Sequence, residues 1–472
     1  MNRRPRTRVR HLLILTLMGL GGVGTLAAQE IDLETAVALA LQSNLGIESE
    51  LAAVRQKQLI AETWWNRFYP TASASVTMGR NNVESTVSGI QPVTSSFDPL
   101  TGTFDEVSAF SRESPRWFLS AGVDLSLVLT LQTIPGVSLA RLDYENGLIT
   151  LDQARAEVER DVSKQFYELI LLREQIALQE EQIANAERRY QQAQANFDSG
   201  LIDEYTLLSS QVSLENLRPA LAGLQVAYQQ ALLGFRNSLG LPLNEEVVPV
   251  GTIEPPEVTV SSVAVDNARL RQRFDVQQLE MAARLIRQQR QAADFSPQGG
   301  RAPYLRFGYN LDPSFQGDPL ADNIFDFDDW SQRGGAFTIS LVQPLDSWLP
   351  FSQSRNQLSD FDTQLEQNRL QLQQALRGAE IGVRGLLLQI RTSQQTIQAL
   401  EQNVQLARRA FELADVGYQN GLRDLLEVQT AELDLRDAEL NLLEEQKNVM
   451  DSVLDLQFEL NASLEEIMEM QE

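Results

Sequence analysis

The sequence predicts a mostly α-helical fold with a small β part in a membrane, built from two internal structural repeats. Two long segments share one heptad pattern, and four shorter segments alternate apolar and polar residues. The same helix-breaking turn also occurs twice, as "FDSGLIDEYTLL" from Phe197 and as "YQNGLRDLLEVQ" from Tyr418. Their glycines, Gly200 and Gly421, lie 221 positions apart (421 − 200). A constant offset of this kind indicates a duplicated unit, which decides how every later motif is interpreted.

The composition excludes several kinds of chemistry in this chain of 472 residues. It has no cysteine, which excludes disulfides, thiolate metal sites and a cysteine nucleophile, and its only histidine is His11. No motif brings a nucleophile and a base together, so we expect no enzyme, no catalytic residue, no cofactor and no metal site. The net charge of −25 argues against nucleic acid as a partner, because binding it requires clustered cations.

Residues 1–28 have the pattern of a secretory signal peptide. Five arginines, the last of them Arg10, precede an apolar run from Leu12 to Leu20 and small residues that end at Ala28. The run is shorter than the roughly 20 apolar residues of a membrane-spanning helix. We therefore expect an exported chain, in which loss of the five arginines takes the formal charge from −25 to −30.

The first repeat, residues 29–250, is predicted to begin with a helix and to continue with a pair of strands. "LETAVALALQSN" from Leu33 has apolar residues at helical spacing behind an acidic first turn. The pattern then changes to a period of two at about 70–82 and 116–130, where residues such as Val123 alternate with polar neighbours. Strands of about ten residues with one apolar and one polar face are typical of an outer-membrane barrel.

The second repeat, residues 251–460, has the same order of elements. A helix over about 265–294 is followed by alternating segments at about 303–311 and 335–343. Residues 461–472 remain as a short C-terminal tail. The chain therefore brings four strands, each with one apolar face, although an ordinary half-buried hairpin shows the same alternation.

Each repeat continues into a long helical hairpin. When Val162–Leu239 is placed over Val383–Leu460, apolar residues match at seven-residue steps. The matching positions are Val162, Leu169, Ile176, Ile183, Tyr190 and Phe197 over Val383, Ile390, Ile397, Val404, Phe411 and Tyr418. A strict seven-residue period predicts left-handed coiled-coil packing against neighbouring helices, with a hairpin that has no partner as the simpler alternative. The predicted hairpin tips are residues 199–203 and 420–424, where the glycines stop the helices.

Four strands cannot close a barrel, so the β part predicts an oligomer. A sheet that spans lipid must leave no edge unpaired, because no water is present to satisfy the backbone groups. At least two chains must therefore pool their strands. Three chains would supply a shared 12-stranded barrel with an aqueous lumen, since about eight strands are already filled by side chains.

Two local clusters have open interpretations. The acidic loop over residues 312–330 would bind cations only if its aspartates formed a calcium site, but it lacks the calcium-loop spacing and its glycine. A flexible surface loop is the alternative. The aromatic residues from Trp64 to Tyr69, just before the first strand, would form either an interfacial belt or a helix-end packing cluster.

The order of these elements resembles the TolC-like outer-membrane efflux proteins, the outer membrane factor family. The similarity covers the export signal, "LETAVALALQSN", the strand pair, the long hairpin with its Gly-Leu turn, Leu239-Gly240, and then the whole unit again. It implies a trimeric channel-tunnel in the outer membrane, continued across the periplasm by an α-helical coiled-coil barrel. It also implies a passive exit duct of a tripartite efflux or type I secretion system.

The resemblance implies particular partners and contact residues. The partners are two further chains of a homotrimer, outer-membrane lipid, a periplasmic adaptor (membrane fusion) protein and an inner-membrane transporter. The hairpin tips would meet the adaptor at Gly200, Leu201, Gly421 and Leu422. An exported coiled-coil scaffold or adhesin without a pore is the alternative function, and it would leave membranes without detergent.

A periplasmic gate is implied at the second hairpin tip, at Tyr418, Arg423 and Glu427, with Glu427 in place of the usual aspartate. From the residues alone, Tyr418 is equally a seam residue that matches Phe197, and Arg423 is equally a solvated charge. If Arg423 belongs to the gate, Arg423→Ser should leak small solutes or raise the single-channel conductance. An unchanged conductance would remove Arg423 from the gate.

The chain departs from the family pattern at two gate positions. Thr430 stands where a second acidic residue is usual, and Thr206 stands where the first tip would offer the arginine an acidic partner. Asp203 or Glu204 would have to substitute for it. We therefore expect a gate that is looser than usual or built differently.

Overall fold

The computed structural model describes most of the chain after the predicted signal peptide. The described residues are 29–80, 86–90, 97–98, 103–104, 109–113, 117–256, 267–316, 326, 328, 330–331, 334–420 and 422–469. The signal peptide at 1–28, the tip glycine Gly421 and most of the acidic loop at 312–330 lie outside them.

The prediction of a mostly α-helical fold with a small β part is confirmed, because long helices dominate and six of the strands form one sheet. The helices are α1 (Leu33–Ser43), α2 (Leu45–Glu62), α3 (Thr133–Asp198), α4 (Glu204–Ser238), α5 (Asn267–Leu270), α6 (Phe274–Asp294), α7 (Gln353–Gln419), α8 (Leu425–Leu460) and α9 (Leu464–Glu469). Short 3-10 helices occupy Trp64–Phe68 and Asp346–Trp348. No described helix is both long enough and apolar enough to span a bilayer.

Twelve strands accompany the helices among the described residues. They are β1 (Gln29–Ile31), β2 (Thr71–Arg80), β3 (Thr86–Ile90), β4 (Phe97–Asp98), β5 (Thr103–Phe104), β6 (Ala109–Glu113), β7 (Trp117–Leu129), β8 (Val247–Pro249), β9 (Tyr304–Leu311), β10 (Ser314–Gln316), β11 (Trp330–Ser331) and β12 (Ala336–Val342). The four segments with alternating residues in the sequence correspond to β2, β7, β9 and β12.

The chain forms two compact units that do not follow the repeat boundary. The first unit contains the described residues up to Asn44, together with Val158–Pro256 and Ser393–Asp451. The second contains the described residues of Leu45–Glu157, Glu257–Thr392 and Ser452–Glu472. Each unit therefore combines segments of both predicted repeats, because α3 and α7 each have residues in both units.

The first unit is built from helical hairpins whose core lies on the predicted seam. Val162 and Leu169 of α3 are 1% exposed, and the ring of Phe166 packs against Phe235 of α4 with centroids 6.3 Å apart. Burial decreases along the seam toward the turn, since Phe197 is 37% exposed. The seam therefore leaves apolar surface uncovered near the hairpin tip.

The second unit contains an antiparallel sheet with four strand positions. β7 pairs with β2 on one side and with β9 and β10 on the other. The dipeptide Asp312-Pro313 separates β9 from β10. β12 pairs with β9, and β11 pairs with β10. The spatial order is therefore β2, β7, β9 with β10, then β12 with β11, and the edges of the sheet are β2 and β12.

The register places the apolar residues of all four strands on one face. Leu125 lies between Ala72 and Tyr309, and Phe337 lies beyond Tyr309 in β12. Val76, Ile339 and Leu341 of this face are strongly exposed. The predicted apolar alternation is therefore present as a continuous apolar surface, which the described residues leave uncovered.

The opposite face of the sheet is polar and internally hydrogen-bonded. Asp124 lies between Ser73 and Asn310 in register, and the Asn310 side chain donates to Asp124 at 2.6 Å. Two residues further along β7 on the same face, the hydroxyls of Thr71 and Ser126 lie 2.7 Å apart. A sheet with one lipid-like and one water-like face matches the requirement for a membrane barrel wall.

Candidate functional site

The first hairpin turn joins α3 to α4 and is shaped by Gly200. Its φ of +72° is a left-handed conformation that favours glycine. The Leu201 N–H donates to the Asn196 carbonyl at 2.8 Å, which closes the end of α3. The Leu201 side chain is 74% exposed. The turn therefore presents an apolar side chain to its surroundings.

Asp203 caps the start of α4. Its carboxylate accepts hydrogen bonds from the Thr206 hydroxyl at 2.6 Å and from the Thr206 N–H at 2.9 Å. These two bonds lower the pKa of Asp203 below its usual value. Asp203 and Thr206 are therefore engaged with each other as a helix cap, and Arg423 pairs with Glu427 instead.

The second hairpin turn joins α7 to α8 in a similar way. The Leu422 N–H donates to the Gly417 carbonyl at 2.8 Å, and Asp424 caps α8 by accepting from the Glu427 N–H at 2.9 Å. Leu422 is 82% exposed. Both turns thus carry one exposed leucine, at matching positions of the two repeats, whereas Gly421 lies outside the described residues.

The structure brings two of the predicted gate residues together within one short stretch of the chain. The Arg423 guanidinium donates to the Glu427 carboxylate at 2.6 Å, and both side chains are about half exposed. The stem of Arg423 lies over Gly417, where its Cγ is 2.6 Å from the place that a Cβ would occupy. Because residues 423 and 427 are four positions apart, their ion pair does not tie two hairpins together.

A different ion pair connects the two hairpins. Arg189 of α3 donates to the Glu432 carboxylate of α8, and the two residues are 8% and 7% exposed. The second carboxylate oxygen, Glu432 Oε1, is also buried and has no hydrogen-bond partner. A buried charge pair is strongly destabilised when only one partner is removed. Arg189 and Glu432 therefore form the strongest polar link between the hairpins near their tips.

Tyr418 is half-buried near the end of α7. Burial raises the pKa of Tyr418, and the positive charge of Arg189 opposes that rise. This electrostatic effect comes from Arg189 of α3 and involves neither Arg423 nor Glu427. The residues predicted for the gate therefore lie in two environments. Arg423 and Glu427 pair with each other near the turn, whereas the half-buried Tyr418 is within electrostatic range of Arg189.

The sequence analysis missed Arg189 and Glu432, although the repeat contained a signal. Arg189 lies 11 residues before Gly200, and Glu432 lies 11 residues after Gly421, so each is about 16 Å from its turn along a helix. At the constant offset, their counterparts in the other repeat are Ala410 and Gln211. Two residues of opposite charge lie at the same distance from their turns, and each has an uncharged counterpart in the other repeat. This pattern indicates an ion pair that forms only between α3 and α8.

Further polar contacts join α8 to its neighbours in the first unit. Gln429 donates to Ser213 of α4 at 3.1 Å. Closer to the far end, Glu439 accepts from Arg408 of α7 at 2.6 Å, and Lys447 pairs with Glu168 of α3 at 2.9 Å. Movement of α8 would therefore break contacts with all three of its neighbours.

The described residues contain no group of three or more histidine, cysteine, aspartate or glutamate side chains able to hold a metal ion. Of the aspartates in the acidic loop that would bind calcium, only Asp326 and Asp328 are described. The prediction that this chain uses no metal stays a prediction.

The chain matches a sequence profile described as outer membrane efflux protein, over residues 36–241 and 265–462. The two matched segments are similar in length and correspond to the two predicted repeats. No curated protein matches the chain in sequence.

Solved structures with the same fold are outer-membrane channels. The Campylobacter jejuni channel CmeC superimposes with a TM-score of 0.68 at 15% identity, covering 91% of this chain and 85% of CmeC. CusC superimposes with a TM-score of 0.65 at 16% identity, covering 95% of this chain and 96% of CusC. VceC of Vibrio cholerae superimposes with a TM-score of 0.64 at 16% identity, covering 91% of this chain and 96% of VceC.

Proposed function

Because the chain belongs to the outer membrane efflux protein family, we propose that three copies form the complete channel, which works with a periplasmic adaptor and an inner-membrane transporter. The chain itself is an outer-membrane exit duct that extends into the periplasm. The family consists of channels rather than enzymes, and we include in the proposal that transport through this chain involves no catalytic step. CmeC is described as an outer membrane channel, and CusC as forming a transmembrane channel, which supports the duct over the scaffold.

The single observation that carries the trimer is the four-stranded sheet with two free edges. Among the described residues, β2 pairs only with β7, and β12 pairs only with β9. Since neighbouring strands are antiparallel, β2 and β12 run in opposite directions, and β12 of one copy can extend the ladder onto β2 of the next. Three copies supply twelve strands, which is wide enough for a water-filled lumen.

An uncovered apolar column on α4 supports the same assembly in the helical part of the chain. Tyr205, Val212, Val226 and Leu233 are all exposed and lie at seven-residue steps, with Pro219 at the intervening step. A heptad column of this kind forms the seam of a left-handed coiled coil when a second helix covers it. In the proposed trimer, a helix of the neighbouring copy covers this column.

The proposed gate is the ring of hairpin tips at the periplasmic mouth. Arg189 and Glu432 tie the hairpins of one protomer together, and Tyr418 is within electrostatic range of Arg189. Arg423 and Glu427 lie closer to the tip, where their exposed pair costs only about 0–1 kcal/mol to break. Arg423 is therefore free to exchange Glu427 for a carboxylate of a neighbouring copy.

We place the adaptor contact at the exposed leucines of the tips. Leu201→Asp combined with Leu422→Asp should abolish efflux in a host that depends on the channel, because a charge replaces both apolar contacts. The single-channel conductance of the purified protein should stay within about twofold of the wild type. Loss of conductance together with efflux would show that the leucines support the channel itself. A matched control is Leu243→Asp, at an exposed leucine away from both turns.

Planar-bilayer recording of the detergent-extracted protein tests the proposed function. We expect discrete conductance steps that depend on the added protein, and no activity in extracts from cells that lack it. A protein that leaves the membrane fraction without detergent and gives no conductance would contradict the channel. It would favour the exported scaffold instead.

A further inference from the structure

A cavity of about 360 Å³ lies at the junction between the sheet and α3, within the second unit. The lining residues come from the end of β7, the start of α3, the start of β9 and the segment before β2. They are Arg67, Val128, Thr130, Gln132, Thr133, Pro297, Gln298, Tyr304 and Arg306. This size is within the range of pockets that hold small molecules.

The lining of this cavity is positively charged, whereas the chain as a whole is negatively charged. Two guanidinium groups, Arg67 and Arg306, line it, and no aspartate or glutamate does. Across the described residues, neither arginine forms an ion pair, whereas many other arginines of the chain do. In a chain of net charge −25, two unpaired cations that share one cavity indicate a site for an anion.

The fold holds both arginines in place. Arg306 lies in β9 between Val128 and Ser340, on the polar face of the sheet. Arg67 lies over the first turn of α3, where its guanidinium fills the space that a side chain at Gly136 would need. Glycine at position 136 therefore permits the approach of Arg67 to the cavity.

The remaining polar lining completes a set of hydrogen-bond donors. The hydroxyl groups of Thr130, Thr133 and Tyr304 and the amides of Gln132 and Gln298 can each donate to an oxyanion. Arginine binds phosphate through two parallel N–H donors, and such charge-assisted bonds are stronger than neutral ones. The geometry points to a phosphate group, and we propose that this cavity binds one, through Arg67 and Arg306.

A phosphate group can reach the cavity from two sources. It can belong to a solute in the water that bathes the polar face of the sheet. It can also belong to a phospholipid, because the residues on either side of Arg67 include exposed Trp64, Trp65 and Phe68, which suit a lipid–water interface. The chemistry at the two arginines is the same for both sources, so separate measurements distinguish them.

Titration calorimetry with inorganic pyrophosphate tests the solute, on the full chain in detergent at about 0.1 M NaCl, where the Debye length is about 10 Å. Native mass spectrometry after incubation with phosphatidylglycerol tests the lipid. With at least one probe we expect saturable binding that Arg67→Gln and Arg306→Gln each weaken about tenfold or more. Gly136→Ala should weaken it as well, since it displaces Arg67 without changing any charge.

The matched control is Arg55→Gln, which removes an exposed arginine of α2 that lies outside the cavity. Binding of pyrophosphate alone assigns the site to a solute, and binding of phosphatidylglycerol alone assigns it to a lipid. The proposal is wrong if neither probe binds, or if Arg55→Gln weakens binding as much as the cavity variants do. An unchanged thermal unfolding midpoint shows that each variant is folded, and because the readout is binding, failure here leaves the proposed channel unaffected.

Discussion

Arg189→Met should loosen the periplasmic mouth and raise the single-channel conductance more than Arg423→Ser does. The substitution leaves Glu432 charged and buried without its partner, since one of its carboxylate oxygens already has no hydrogen bond. Removing one partner of a buried pair costs about 3–5 kcal/mol, whereas an exposed pair such as Arg423 with Glu427 contributes about 0–1 kcal/mol. Planar-bilayer conductance and the thermal unfolding midpoint measure the two effects.

The double variant Arg189→Met with Glu432→Leu separates charge from packing. Replacing both partners by apolar residues of similar size should restore most of the lost stability, because no charge then remains buried. The mouth should still open more easily than in the wild type, since the specific link between the hairpins is gone. An Arg423→Ser effect on conductance that exceeds the Arg189→Met effect would show that the exposed pair at the tip is the principal tie.

Ile339→Arg should prevent assembly in the membrane, whereas Thr338→Arg should be tolerated. Ile339 is 60% exposed on the apolar face of β12, beside Phe307. A charge on the lipid face of a barrel costs about 2–4 kcal/mol at the middle of the bilayer. Thr338 lies on the polar face opposite Gly308, where an arginine reaches water and meets no side chain in register.

The yield of heat-resistant oligomer recovered from the membrane fraction measures this difference. We expect Ile339→Arg to lower the yield at least tenfold and Thr338→Arg to lower it less than twofold. Equal yields from the two variants would contradict the assignment of the two faces. The comparison is closely matched, because the two positions are adjacent and receive the same new side chain.

The long helices and the two faces of the strands were predictable, because both follow from periodic patterns in the sequence. Lipid on one side and water on the other force alternation along β2, β7, β9 and β12, and the α3 seam keeps its seven-residue period. The breaks between β9 and β10 and between β11 and β12 were not predictable. Pro313, between β9 and β10, has no N–H to donate to a neighbouring strand, and the alternation of residues does not show where the neighbouring strand is interrupted as well.

The contacts of the residues predicted for the gate were less predictable than the fold. Arg423 and Glu427 are four positions apart, a spacing that favours a pair within one helical turn, so their local contact follows from sequence alone. Arg189 and Glu432 lie in different repeats, and a charged residue within a long helix is usually solvated. Only the packing of α8 against α3 brings the two together.

The most direct test of the account is the mass of the detergent-extracted particle, measured by native mass spectrometry. Among the described residues, each chain contributes four strand positions and two sheet edges without a partner strand, so we expect a particle of three chains. A stable particle of one or two chains that still conducts ions would contradict it, because the sheet would then have to close in another way.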